Sequence, residues 1–303
     1  MKRALVGLLP GLLLPTLALA DATVAVPADR IVPAIGPGLI SVEAASTPAP
    51  KQVWWMVNLG WAHQPIVLRL PSAGIVLHPV RDAMTLHLGS ELSLIRGFSL
   101  QALWPIVVYQ AGDRLRGTGL DETPLSASVS GDFVLRLRAA FVGDATQPGL
   151  HLGSSLELTI PFDGRDHFAG RARPSFALRL HGDFRHRWFG IAALLGYRIL
   201  SERMLFDTRF GDELLWGLGG VVTLYPGSRV RLAAVLEANG AASGSRAARP
   251  AELLGALRLF LGATGLSIDV GAGGGLDAQP TAARARLFVS IRGRAGGPAP
   301  LGW

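Results

Sequence analysis

The sequence predicts an all-β protein, an antiparallel up-and-down transmembrane β-barrel of about 12 strands. Three observations carry this prediction: repeated segments in which apolar and polar residues alternate, connections that are alternately short and long, and an N-terminus with the features of a secretion signal. A strand sends successive side chains to opposite faces, so each alternating segment has one apolar and one polar face. Many such segments behind a secretion signal are typical of outer-membrane barrels.

Residues 1–20 have the pattern of a signal peptide. They begin with Lys2 and Arg3, continue with a mostly apolar run from Leu5 to Leu14, and end in the small-x-small sequence Ala18–Ala20. A membrane-anchoring helix is the alternative. The run is short, Pro10 interrupts it and Pro15 follows it, which favours cleavage before Asp21 and export through the inner membrane.

Residues 21–50 are rich in Ala, Pro and Val and contain five prolines, which oppose any regular element. We predict an extended leader on the periplasmic side; the alternative is that it folds back into the mouth of the barrel. The barrel is then residues 51–294, followed by a short C-terminal tail, 295–303.

The predicted strands follow in order. The first runs from Val53 to Leu70, with a bend near His63–Pro65. The last, residues 284–292, shows the alternation most clearly, with Leu287 and Ile291 on the face opposite Arg284, Arg286 and Arg292. The strands between them cover residues 84–94, 98–108, 132–141, 150–160, 175–183, 188–199, 214–224, 230–237, 252–261 and 265–276.

The connections alternate in length. Short ones are predicted at 96–97, 143–149, 186–187, 226–228 and 262–265, and long ones at 71–83, 110–127, 163–171, 200–210, 239–250 and 277–283. Outer-membrane barrels have short periplasmic turns and longer external loops. A periplasmic N-terminus places every short turn in the periplasm, and an even strand count returns the C-terminus there.

Alternation alone does not say which face is inside, because a soluble lipocalin-type barrel would have its apolar face inside. Bore size favours the opposite arrangement. About eight strands enclose a space that side chains can fill, whereas about twelve leave a bore that Leu and Val cannot pack. We therefore predict an apolar exterior and a polar lumen.

Four stretches together resemble a group of Gram-negative outer-membrane barrels that are often found N-terminal to OmpA-like peptidoglycan-binding domains. They are Pro33–Ala45 (PAIGPGLISVEAA), Leu59–Leu70 (LGWAHQPIVLRL), Leu86–Ser93 (LHLGSELS) and Leu103–Gly119 (LWPIVVYQAGDRLRGTG). The resemblance implies an outer-membrane barrel whose transported substrate is generally unassigned. The peptidoglycan-binding domain is not expected here, because few residues follow Arg294.

The predicted lumen face carries charged residues, for which two interpretations stay open. An excess of guanidinium groups would give a pore with a mild preference for anions. Alternatively, cross-strand Arg–carboxylate pairs would prop or plug the bore. The candidate lumen-lining residues are Arg136, Arg138, Arg179, Arg231, Arg258, Arg284, Arg286, Arg292, Glu91, Glu157, Asp183, Glu237 and Asp269.

The sequence gives little support for a catalytic, metal or nucleic-acid-binding site. The chain has no cysteine, which excludes disulfide scaffolds and thiolate chemistry. Its net positive charge suggests nucleic-acid binding, but the arginines are scattered along strands and no nucleic-acid recognition motif is present. The histidines lack the spacing of a metal site, and no hydrolase motif occurs. We predict no catalytic, cofactor-binding or metal site.

The leading hypothesis is an integral outer-membrane protein that acts as a passive channel or transport barrel. A structural or surface-interaction protein with a plugged lumen is the second hypothesis, and an outer-membrane enzyme is a distant third. The expected partners are outer-membrane lipid, the barrel-assembly machinery and small solutes or anions, with no nucleic acid.

Overall fold

The computed structural model describes residues 29–70, 75–113, 125, 128–144, 147–162, 167–171, 173–201, 203–205, 208–243, 249–262, 264–276 and 281–296. Its strands are β1 (Val53–Leu70), β2 (Ile75–Ile95), β3 (Phe98–Ala111), β4 (Val129–Ser130), β5 (Phe133–Val142), β6 (Gly149–Ile160), β7 (Ser175–Arg185), β8 (Phe189–Ile199), β9 (Arg203–Leu205), β10 (Thr208–Phe210), β11 (Glu213–Tyr225), β12 (Val230–Ser243), β13 (Ala251–Leu261), β14 (Leu266–Gly275) and β15 (Ala285–Ala295). The predicted signal peptide, and its cleavage, lie outside the described residues.

Twelve long antiparallel strands form a closed barrel, which confirms the predicted fold class. Each strand pairs with its neighbours along the chain, and β1 pairs with both β2 and β15, so the sheet has no free edge between its first and last strands. Short β4 continues the pairing of β3 beyond β5, and β9 and β10 form a separate hairpin. No helix of the described residues is long and apolar enough to cross a membrane.

The connections define two ends of the barrel. The strand ends that flank the short connections 96–97, 143–148, 186–188, 226–229 and 262–265 all lie at one end, here called the turn end. The strand ends that flank the connections predicted to be long lie at the opposite end, here called the loop end. Strands β1 and β15 reach the turn end through Val53 and Ala295, which are paired.

Two of the predicted loops are shorter in the structure, because the flanking strands continue to pair. Residues 75–83, predicted as loop, belong to β2, whose backbone continues to pair with β1 beyond a register shift between His63 and Ile66. This irregularity coincides with the predicted bend, and Gln64 has a φ of 49° there. Likewise β12 extends to Ser243 and pairs with β11.

The exterior is apolar around the wall. Leu137, Leu156, Leu178, Tyr197 and Leu214 are aligned across five neighbouring strands, and each has between 45% and 56% of its surface exposed. The residues between them along each strand are buried, as in β7, where exposed and buried residues alternate. An apolar band that faces outward has the orientation expected of a wall in contact with lipid.

The main difference from the sequence prediction concerns residues 29–50, here called the interior segment. They lie inside the barrel and not on the periplasmic side of it, so the predicted leader position is wrong for these residues, and the alternative that they fold back into the barrel is correct. Ala34, Ile35, Leu39 and Ala44 have no exposed surface. The segment folds on itself through backbone hydrogen bonds such as those from Ala34 N to Ile40 O and from Ala44 N to Pro37 O.

Candidate functional site: the barrel interior

The interior segment runs through the bore from the loop end to the turn end. Asp29 contacts Arg286 at 2.9 Å, and Arg30 contacts Glu213, the first residue of β11. At the other extreme, Ser93 near the end of β2 donates its hydroxyl to Pro48 O at 3.1 Å. The segment therefore fills the space that a barrel of this strand number leaves open.

Apolar side chains of the segment pack on small and apolar residues of the wall. Leu39, Ile40 and Val42 form a buried cluster with inward-facing residues of β8, β11, β12 and β13 and with Phe288 of β15. Ile35 packs on the opposite side of the bore, against Met56 of β1. Gly89 of β2 provides space for it, because a Cβ at that position would lie 2.8 Å from Ile35 Cγ1.

Charged wall residues bind the backbone of the segment. Glu237 accepts hydrogen bonds from the amides of Ile40 at 2.8 Å, Ser41 at 2.9 Å and Val42 at 3.1 Å, and from the Ser41 hydroxyl. Because three successive amides converge on one carboxylate, Glu237 satisfies donors that no strand partner satisfies.

Arginines bind the carbonyl groups in the same way. Arg258 donates to Gly38 O at 2.6 Å and Leu39 O at 2.8 Å, and Arg292 also donates to Leu39 O at 2.9 Å. Arg138 donates to Ala44 O and, at 3.3 Å, to Ser46 O. The carbonyl groups of the segment are therefore held on both sides of the bore.

The wall charges also pair with one another. Arg136 Nε lies 2.6 Å from Glu157 Oε2 on the neighbouring strand, and Arg258 Nε lies 2.8 Å from Asp269 Oδ1 on the next. In both cases the two residues are directly opposed in the register. Pairs of this kind are the cross-strand network that the sequence offered as the alternative to an open, arginine-rich pore.

The structure buries most of the thirteen candidate lumen residues inside the barrel, and two differ. Arg284 is exposed, because β15 begins at Ala285 and leaves Arg284 in the connection beyond the wall. Arg231 is half-buried near the turn end, over the ring of Phe260 at 4.1 Å. The eleven buried residues are Arg136, Arg138, Arg179, Arg258, Arg286, Arg292, Glu91, Glu157, Asp183, Glu237 and Asp269.

Sequence reasoning missed several partners of these residues. Arg185 and Glu213 continue the inward alternation of β7 and β11, so extending that alternation could have found them. Glu43 contacts Arg136 at 2.8 Å, and Asp29 and Arg30 pair with wall residues, but they belong to an irregular segment with no periodic signal.

Near the loop end, Asp132 and Arg171 form a further pair outside the long strands. The backbone amide of Arg171 donates to both Asp132 carboxylate oxygens at 2.9 Å, and its guanidinium lies 3.4 Å from one of them. Burial raises the pKa of Asp132 despite this partner. Burial, together with the charge of nearby Arg198, lowers the pKa of Arg171 to about 10.

Histidines do not gather into a metal centre in the described part of the chain, where no group of three His, Asp or Glu side chains is placed to hold an ion. His151 lies 3.0 Å from Asp183, and His181 lies 2.9 Å from the Ser155 hydroxyl. Both histidines are buried within the polar interior.

Comparison with solved structures identifies the architecture. The chain is similar to the COG4313 outer membrane channel from Pseudomonas putida F1, with a TM-score of 0.55 and 15% identity over 83% of this chain and 98% of that one. This chain has the fold of an outer-membrane β-barrel. At that identity the similarity shows the fold alone.

Two further structures superpose less closely. A NanC porin gives a TM-score of 0.49 at 8% identity, over 80% of this chain and 100% of that one. The β domain of the Bordetella autotransporter BrkA gives 0.45 at 14% identity, over 80% and 98%. No protein-family model matches the sequence. No curated protein matches it either.

Proposed function

We propose that this protein is an integral outer-membrane protein that acts as a passive channel for small solutes, and that its interior segment closes the bore. The observation that carries the proposal is that the wall closes on itself without the segment. The β1–β15 pairing runs over eleven residue pairs, from Val53–Ala295 to His63–Ala285, and none involves residues 29–50. The segment can therefore leave while every strand pairing of the barrel remains.

The chemistry of the inner wall supports this proposal. An inner wall that is permanently covered by the segment could be apolar throughout. This inner wall also presents charged and polar side chains, which water can solvate when the segment is absent. Glu237, Arg258 and Arg292 bond to backbone atoms of the segment. Water can replace such bonds at moderate cost, because a hydrogen bond to a charged group contributes about 1.5–3 kcal/mol net.

The charge of the described wall does not by itself favour anions. From residue 52 onward the buried residues comprise eight arginines and eight carboxylates. The excess of guanidinium groups inferred from the sequence is therefore balanced by acids that the sequence analysis left out, such as Glu213. Any ion preference has to come from how the charges are grouped.

A disulfide that locks the segment to the wall tests the proposal. The chain has no cysteine, so Ile35→Cys combined with Gly89→Cys forms a single defined link. The nearest atoms at this position are within reach, since a Cβ at residue 89 would lie 2.8 Å from Ile35 Cγ1. In planar bilayers we expect stepwise conductance from the wild type and the reduced double variant, and none from the oxidised one.

The single variants Ile35→Cys and Gly89→Cys, given the same oxidant, are the matched controls and should conduct like the wild type. Conductance that survives oxidation would show that the segment does not close the bore. If neither the wild type nor the reduced variant conducts, the second hypothesis, a structural barrel with a permanent plug, replaces the channel.

We assign the protein no catalytic activity, and the expected partners are lipid, the barrel-assembly machinery and small solutes. The loop end would face outward and the turn end the periplasm, because short turns are typical of the periplasmic side. Cleavage of residues 1–20 and the relationship to barrels with an OmpA-like domain stay predictions from the sequence.

A further inference from the structure

A small cavity of about 90 Å³ lies between the interior segment and the wall, bordered at the loop end by Pro250 and Thr281. Its lining is partly apolar and partly charged. Ile31 and Val42 of the segment and Leu194 and Leu215 of the wall are the apolar residues, and Arg179 and Arg198 bring guanidinium groups. Leu194 and Leu215 pack together in one apolar cluster of the wall.

Two arginines of the cavity, Arg179 and Arg198, belong to a connected network of ion pairs. Five guanidinium groups and four carboxylates form a connected network, with contacts between 2.6 and 3.6 Å apart from the shorter Arg30–Glu213 contact. Its members are Arg30, Arg136, Arg138, Arg179, Arg198, Glu43, Glu91, Glu157 and Glu213. A buried guanidinium donor that no carboxylate of the network reaches is costly, so an acceptor at that donor would stabilise the arrangement.

Two donors of the network lack such an acceptor. The Nε atoms of Arg179 and Arg198 are buried, and neither has a hydrogen-bond partner among the described residues. Both arginines are more than nine-tenths buried. Glu252, the one carboxylate among the described residues that border the cavity, is bound to Arg286 and to the amide of Ala283.

We propose that this cavity binds a small monocarboxylate with a short hydrocarbon chain. Its carboxylate accepts hydrogen bonds from Arg179 and Arg198, and its hydrocarbon chain packs on Leu194 and Leu215. An apolar pocket with a few convergent polar groups is the usual form of a small-molecule site. As a statement about transported solutes this rests on the proposed function, but binding needs no conductance and can be measured separately.

Isothermal titration of the detergent-solubilised full-length protein with butyrate tests the site. We expect butyrate to bind, while butyramide, which has the same shape and no charge, binds at least tenfold more weakly. Inorganic phosphate, which has the charge without the hydrocarbon chain, should also bind at least tenfold more weakly than butyrate.

Two variants locate the site. Leu215→Phe fills the cavity without removing a charge, and we expect at least tenfold weaker butyrate binding. Its matched control is Leu214→Phe, the same change on the exposed outer face of β11, which should bind like the wild type. Arg198→Gln should also weaken butyrate at least tenfold.

Absence of butyrate binding by the wild type would overturn the proposal, whether or not the barrel conducts. Equal binding by Leu215→Phe and Leu214→Phe would place butyrate elsewhere and would also overturn it. If phosphate bound as tightly as butyrate, the cavity would be a general anion site, and the proposal of a monocarboxylate site would be wrong. A barrel that binds butyrate but never conducts would contradict only the channel.

Discussion

At the residue scale, Glu237 is the side chain on which attachment of the interior segment most depends. Glu237→Ala would leave the amides of Ile40, Ser41 and Val42 without their acceptor, at a cost of about 1–3 kcal/mol for each buried group that stays unpaired. We expect hydrogen exchange of residues 29–50 to accelerate at least tenfold.

Leu236→Ala is the control for this change. Leu236 precedes Glu237 on β12 but lies on the outer face, where it is exposed. Exchange of residues 29–50 in this variant should stay within about threefold of the wild type, because no hydrogen bond to the segment is lost. Equal exchange in Glu237→Ala and the wild type would show that the carboxylate is not the anchor.

Which side chains face inward could be predicted from the sequence wherever a strand is regular. The two-residue period alone places Arg136 and Arg138 on the buried face, and the structure buries both. The period could not predict their partner Glu43, because the chain around it has no repeat and its position depends on contacts with distant strands. It also misplaced Arg284, since alternation does not say where a strand begins.

At the scale of elements, strand β14 shows why its glycines are needed. Gly271 faces inward opposite Phe288 of β15, and a Cβ on it would lie 2.2 Å from Phe288 Cζ. Gly271→Val would push this ring out of the cluster that holds Leu39 and Ile40. Overpacking of this kind costs about 1–3 kcal/mol, so we expect a lower thermal unfolding temperature in detergent.

Ala272→Val provides the comparison, because the neighbouring residue faces outward and is exposed. This variant should unfold at the wild-type temperature. A Gly271→Val protein as stable as Ala272→Val would mean that the glycine is not required for packing.

The order and pairing of the elements could be predicted, but the sequence could not decide whether the interior segment lies in the periplasm or folds back into the barrel. Twelve alternating runs joined by alternately short and long connections favour an up-and-down barrel, since strands that are neighbours in sequence usually pair in space. Residues 29–50 form no strand of the wall, and five prolines between residues 21 and 50 argue against regular structure wherever the segment lies. Its contacts with β2, β5, β7, β12, β13 and β15 are long-range and leave no local pattern.

At the scale of the whole molecule, bore size links sequence and structure. A barrel of twelve strands is too wide for its own side chains to fill, and the sequence therefore predicted a polar lumen. The structure fills that lumen with a second layer of the same chain, which pairs Asp29, Arg30 and Glu43 with wall charges. Strand count determined the space to be filled, whereas only tertiary contacts could show what fills it.

The final prediction concerns the apolar outer face of the barrel and whether it contacts lipid. Leu156 lies at mid-height on β6, aligned with Leu137 and Leu178, and 54% of its surface faces outward. If that surface meets lipid, Leu156→Arg should destabilise the barrel in vesicles by about 2–4 kcal/mol, and Ile160→Arg, at the loop end of the same strand, by about 0–1 kcal/mol. Urea titration of the vesicle-folded proteins measures both. A barrel with a water-exposed outer face would tolerate the two substitutions equally, so the difference between them, and not either loss alone, tests the membrane orientation.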